Sequence, residues 1–170
     1  MLSYSEIKSS RTWDLVLRVS VKTACSEGCK DRTDSKASLK DKTGVQNIIN
    51  ISSTYGVKAQ DQKIYSSNKF KNKMFKPLEY AVSKSGLESF TRNLAAYYQN
   101  TNIRVNTLSP GGIEQPNQNK TFKNNYTRKT ILGRMATLED YNDSILFLCK
   151  KTNNYLTGAN LVVDGGATVI

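Results

Sequence analysis

Apolar residues along this chain gather in short runs separated by longer polar stretches. Between Asn47 and Ser52 the isoleucines Ile48, Ile49 and Ile51 stand together without proline, bounded by Gly44 and Gly56. Such a run predicts a buried parallel strand. Asn102 to Leu108 predicts a second strand with Val105 and Leu108 in the core, and Gly158 to Asp164 a third, closed by Gly165-Gly166. From Pro77 to about Tyr98 the apolar positions Ala81, Leu87, Phe90, Leu94 and Tyr97 recur at helical spacing, with Lys84, Glu88 and Arg92 between them. Pro77 suits the first turn of that helix, where its missing N–H costs nothing. The segment Gly133 to Asp140 leads into a further helix, with Thr137 as N-cap, acidic residues in the first turn, and Ile145, Leu146, Leu148 and Cys149 on the buried face. Strand, helix, strand, helix, strand with right-handed crossovers makes the three strands parallel: an α/β, βαβαβ chain with flanking helices.

The rest of the chain is less regular. Trp13, Val16, Leu17, Ser20 and Val21 fall near a helical period, so Thr12 to Lys22 reads as an amphipathic helix. Residues 23 to 46 hold few apolar residues and no period, and read as loop. Residues 57 to 76 are polar and basic, an excursion at a strand end of the kind that borders pockets. Residues 114 to 132 are polar, lack a period and read as a mobile loop.

Composition narrows the classes. A chain of 170 residues with 38% apolar content has room for one domain with a real core. No apolar run approaches a membrane span, and the N-terminus has no basic stretch followed by an apolar block, so a cytoplasmic address is expected. The formal charge of +11 comes from lysines dispersed among asparagines, a basic solvated surface and not a nucleic-acid patch. Three cysteines and no histidine make neither a metal site nor a disulfide framework the expectation.

Chemistry enters at Tyr80-Ala81-Val82-Ser83-Lys84. In a helix the Tyr and Lys lie on one face, one turn apart. A phenol beside a fixed positive charge is an acid/base device, because the charge favours the phenolate. Ser53 stands just beyond the first strand, at the edge where ligands gather in open α/β sheets.

Four blocks stand in order: Asn47-Ile48-Ile49-Asn50-Ile51-Ser52-Ser53-Thr54-Tyr55-Gly56, Tyr80 to Lys84, Ile103-Arg104-Val105-Asn106-Thr107-Leu108-Ser109-Pro110-Gly111-Gly112-Ile113, and Leu156-Thr157-Gly158-Ala159-Asn160-Leu161-Val162-Val163-Asp164-Gly165-Gly166. Together they resemble the second half of the short-chain dehydrogenase/reductase family, from about residue 47 to the end and more thinly from Trp13 to Lys22. The resemblance implies a partial Rossmann-like, doubly wound fold: one domain over residues 1–170, divergent over 1–46 and carrying the catalytic half over 47–170. It implies an oxidoreductase interconverting a carbonyl and an alcohol with NAD or NADP. Tyr80 would be the acid/base, Lys84 would support its phenolate and hold the nicotinamide ribose hydroxyls, and Ser53 would orient and polarise the substrate oxygen. Ser20 would occupy the place of a helix asparagine that anchors a water. Pro110, Gly111, Gly112 and Ile113 would lie against the nicotinamide, with Gln115 where the family commonly has a threonine.

The substrate implied is a small carbonyl or alcohol, a sugar derivative if the 57–76 excursion resembles the members that act on them. The Tyr80 helix would pack against a second copy in a homo-oligomer. The family's glycine-rich cofactor fingerprint has no counterpart here, so the cofactor-binding front half is expected to be absent and one sheet edge bare. That leaves an alternative, a non-catalytic remnant serving as scaffold or partner of an intact homologue.

Overall fold

The structure, a computed structural model, describes residues 46–65 and 76–170. These form β1 (Gln46–Ile51), α1 (Thr54–Val57), a 3-10 turn (Gln62–Tyr65), α2 (Leu78–Tyr97), β2 (Ile103–Pro110), α3 (Lys120–Thr127), a second 3-10 turn (Glu139–Tyr141), α4 (Asn142–Cys149) and β3 (Asn160–Val163). The strands are parallel in the order β1-β2-β3, with Gln46 opposite Ile103 and Thr107 opposite Asn160. The expected α/β arrangement of three parallel strands and flanking helices is the one observed. Ser20, the Thr12 to Lys22 helix and the loop over 23–45 lie outside the described residues.

Alternation along the strands divides the sheet into two chemically different faces. On one, Ile49 and Leu108 pack with Leu148 of α4, with Ile51, Ile145, Cys149 and Leu161 around them. The other face meets α2 through polar groups. Thr91 accepts from Asn50 Nδ2 at 2.8 Å and from the Thr107 hydroxyl at 2.7 Å, and donates to the Leu87 carbonyl at 2.9 Å. Buried polar atoms need partners, and only one register of α2 over β1 and β2 supplies them here.

Several boundaries and faces differ from the sequence reading. β1 takes in Gln46, β2 runs on through Pro110, and β3 begins at Asn160. Pro77 caps α2 from outside its first turn. Tyr97 is exposed, as are Leu78 and Val82, on the part of α2 that faces away from the sheet. Leu146 is exposed as well, because Ile145, Leu148 and Cys149 fill the side of α4 that meets the sheet.

The polar stretch 114–132 contains a helix, α3, capped by Asn119, whose Oδ1 accepts from Thr121 N at 2.7 Å. Its Phe122 and Tyr126 lie one turn apart and bury against Ile64 and Met135, an apolar stripe too narrow to register as a period. Thr137 is not the expected N-cap. Its N–H and hydroxyl both donate to Asp140 Oδ2, and Arg134 donates to the same carboxylate twice, Nη1 to Oδ2 and Nη2 to Oδ1, each at 2.7 Å. No helix among the described residues is long and apolar enough to cross a membrane.

Candidate active site

The chemistry predicted from sequence converges where β1 ends. Ser52 donates its hydroxyl to the Lys84 carbonyl at 2.9 Å and lies 3.3 Å from Glu88 Oε1, which ties α2 to the strand. Lys84 Nζ donates to the Ile51 carbonyl at 2.9 Å. Lys84 is therefore buried, and burial, helped by the charge of Lys76, holds its ammonium below the ordinary lysine range.

Ser53 follows in extended conformation as the N-cap of α1. Its Oγ accepts from Tyr55 N at 3.2 Å, which leaves the hydroxyl proton available to donate. Tyr80 stands one turn before Lys84, with the Lys84 ammonium 5.7 Å from its ring centroid. The Tyr55 ring meets the Tyr80 ring edge-on, centroids 6.4 Å apart. Ser53 thus lies between two residues that hold Lys84 and one that packs on Tyr80, and the structure brings Ser53, Tyr80 and Lys84 to one end of β1.

The Pro110 to Ile113 segment forms the adjacent edge, at the end of β2. Gly111 N donates to the Val163 carbonyl at 2.9 Å, and the Tyr141 hydroxyl donates to the Gly111 carbonyl at 3.0 Å. Ile113 pairs with Ala136 in a short parallel bridge. Gln115 is exposed, its N–H turned to Gln118 Oε1 at 2.9 Å. Gly112 is crowded: its N–H donates to the Tyr126 hydroxyl, and a Cβ there would fall 2.6 Å from the Tyr126 ring. Only glycine allows that approach.

Two residues of the site were missed in sequence. Lys76 Nζ lies 3.9 Å from the Tyr80 ring centroid, a cation–π contact, and burial lowers its pKa. The signal was the four-residue step from Lys76 to Tyr80 and again to Lys84. Tyr126 reaches the strand ends from α3; the Phe122–Tyr126 spacing was its only trace. Burial, above all, pushes the phenols of Tyr55, Tyr65, Tyr126 and Tyr141 upward.

A parallel α/β sheet with flanking helices, carrying a serine, a tyrosine and a lysine at its carboxyl edge, is a Rossmann-like fold. The chain belongs to the short-chain dehydrogenase/reductase family: residues 4–168 match the family described as enoyl-(acyl carrier protein) reductase. It is 38% identical over 120 residues, 71% of its length, to the post-translational flagellin modification protein A of Campylobacter coli, and covers 45% of that protein. It is 42% identical over 94 residues, 51% of its length, to the ribulose-forming D-arabinitol 2-dehydrogenase of Scheffersomyces stipitis, and covers 34% of it. Among solved structures, a short-chain dehydrogenase from Leptospira borgpetersenii with bound NAD+ superposes with a TM-score of 0.63 at 43% identity, over 72% of this chain and 44% of that one. The chain spans less than half the length of these relatives.

The residues present fit the nicotinamide–ribose end of such a cofactor in kind. Gly111 and Gly112 bring bare backbone to the end of β2, the Gly112 N–H being engaged by the Tyr126 hydroxyl, and Lys84 brings a buried cation beside Tyr80.

Proposed function

We propose that this chain carries the carbonyl/alcohol end of an NAD(P)-dependent oxidoreductase. The convergence of Ser53, Tyr80 and Lys84 at the end of β1 carries the reading. In reduction the Tyr80 hydroxyl gives its proton to the substrate oxygen; in oxidation its phenolate takes one. Lys84 stabilises the anionic form and holds the ribose hydroxyls. Ser53 donates to the substrate oxygen as negative charge gathers there. Pro110, Gly111, Gly112 and Ile113 hold the nicotinamide; Ser20, outside the described residues, corresponds in sequence to the family's water-anchoring asparagine. The bound nicotinamide supplies or accepts the hydride.

The substrate class is a small alcohol or carbonyl compound, with sugar derivatives and polyols the first to screen. The exposed Leu78, Val82 and Tyr97 on α2 support a homo-oligomer through that helix.

A second reading, a non-catalytic scaffold or partner of an intact homologue, draws on one observation. The Lys84 ammonium already serves the Ile51 carbonyl, and the Gly112 N–H already serves Tyr126.

Calorimetric titration of NADH and NADPH into the folded chain separates the two. Micromolar binding, with Tyr80→Phe losing on the order of 10²-fold or more in turnover, supports the oxidoreductase. A folded chain that binds neither nucleotide supports the second reading.

A further inference from the structure

The backbone that enters α2 is held by two glutamine amides. Gln62 Oε1 accepts from Lys76 N at 2.9 Å while Gln62 Nε2 donates to the Lys76 carbonyl at 2.9 Å, so one side chain grips both backbone polar groups of Lys76. An amide can do this because it carries a donor and an acceptor. Gln62 Nε2 also donates to Gln60 Oε1 at 2.9 Å, and Gln60 Nε2 donates to the Pro77 carbonyl at 3.1 Å.

Lys76 is thereby fixed four residues before Tyr80, with its ammonium 3.9 Å from the Tyr80 ring centroid. Lys84 stands farther off, at 5.7 Å, and donates to the Ile51 carbonyl. Lys76 is half-buried and forms no ion pair with a carboxylate among the described residues. A cation over an aromatic face is attracted by the ring, more strongly as water is removed. Any nearby positive charge also favours a phenolate over its phenol.

The other titratable groups that face Tyr80 among the described residues are phenols: Tyr55 of α1, whose ring meets it edge-on, and Tyr65 of the first 3-10 turn. Phenols are uncharged at neutral pH. The charge around Tyr80 is therefore set by Lys76 and Lys84 together.

We infer, resting on the oxidoreductase reading above, that Lys76 is a positioning residue for proton transfer: clamped by Gln62, it acts through the Tyr80 ring as a second cation that favours the phenolate. The Gln60 to Gln62 stretch then serves the chemistry by fixing the direction from which that charge reaches the ring.

The test follows the Tyr80 phenol by carbon NMR, using tyrosine isotopically labelled at Cζ and assigning the signal through Tyr80→Phe. The wild-type chain, Lys76→Met and Lys76→Arg are titrated over the pH range in which circular dichroism shows each one folded. NADH and NADPH are titrated calorimetrically into the same samples. In Lys76→Met the Tyr80 midpoint is expected roughly one pH unit above wild type, the low end for losing a nearby opposite charge. Lys76→Arg keeps a cation over the ring and is expected at or below the wild-type midpoint. Equal midpoints in wild type and Lys76→Met, a rise shared by Lys76→Arg, or a wild-type Tyr80 that stays protonated as long as the chain is folded overturns the role of Lys76; nucleotide binding in that case leaves the oxidoreductase reading standing. Folded chains that bind neither nucleotide overturn the oxidoreductase reading and the proton-transfer role of Lys76 with it.

Discussion

Lys84 Nζ donates to the Ile51 carbonyl oxygen at 2.9 Å, so the last backbone oxygen of β1 is what receives a buried cation from α2. Burying an ammonium is expensive, and hydrogen bonding to a carbonyl offsets part of the cost. Lys84→Met keeps the aliphatic stem and removes the charge. Its stability against urea is expected within about 1 kcal/mol of wild type, or above it, since buried charges are often replaced by apolar isosteres without loss. Turnover of any accepted substrate should fall on the order of 10²-fold or more. A loss of several kcal/mol with turnover preserved would make Lys84 a structural tie and nothing else.

The buried titratable groups set opposite trends with pH. Tyr55, Tyr65, Tyr126 and Tyr141 are raised above the ordinary phenol value of ~10, chiefly by burial, with Tyr141 pushed up to about 12. Between the ordinary and the raised values the unfolded chain releases protons that the folded chain keeps. The stability these tyrosines contribute is complete below ~10 and is lost as pH climbs through the folded values. Lys76 and Lys84, lowered by burial, act the other way: below ~10.4 the unfolded chain holds protons that the folded one sheds, so stability rises with pH there. Urea midpoints followed by circular dichroism between about pH 8 and pH 11 should therefore rise or stay level, then fall beyond ~10. Tyr141→Phe should soften the fall. A decline that starts near neutrality would contradict the assignment.

How much of this was legible follows the length of each pattern. The isoleucines of β1 and the Leu161-Val162-Val163 run of β3 announced their strands, because a buried strand writes apolar residues close together, while in β2 Val105 and Leu108 stand among polar residues. Tyr80 and Lys84 announced themselves by helical spacing, while their meeting with Ser53 depends on Ser52 and Thr91 docking α2 on β1, a tertiary event with no local signature. Leu146 and Tyr97 were misplaced because helical spacing shows that a stripe exists without saying which side meets the sheet. Tyr126 was missed for the opposite reason. Its stripe is two residues wide, and the Gly112 N–H that its hydroxyl meets lies on another element.

Thr91 is the junction through which the polar face of the sheet is satisfied. Thr91→Val is close to isosteric, yet it leaves Asn50 Nδ2 and the Thr107 hydroxyl, both buried, without their acceptor. The expected cost is about 2–4 kcal/mol in chemical denaturation, because unsatisfied buried donors lose their hydration without return. Thr91→Ser keeps the hydroxyl and should recover more than half of that loss. Equal costs for the two variants would mean that the methyl packing matters and the hydrogen bonds do not.

Gly112 and Tyr126 should prove energetically coupled. A Cβ at Gly112 would fall 2.6 Å from the Tyr126 ring and 2.8 Å from its hydroxyl, and the ring has Phe122, Ile64 and Met135 behind it. Gly112→Ala must therefore push the ring aside, at about 1–3 kcal/mol, the range for overpacking a filled site. In a Tyr126→Ala background the methyl meets open space, and the same substitution should cost at most a few tenths of a kcal/mol. The double-mutant cycle is expected to return a coupling of about 1 kcal/mol or more, well outside the scatter of independent sites. Additive costs would show that the two residues do not compete for one volume, and the packing of the Tyr126 ring against Gly112 would have to be abandoned.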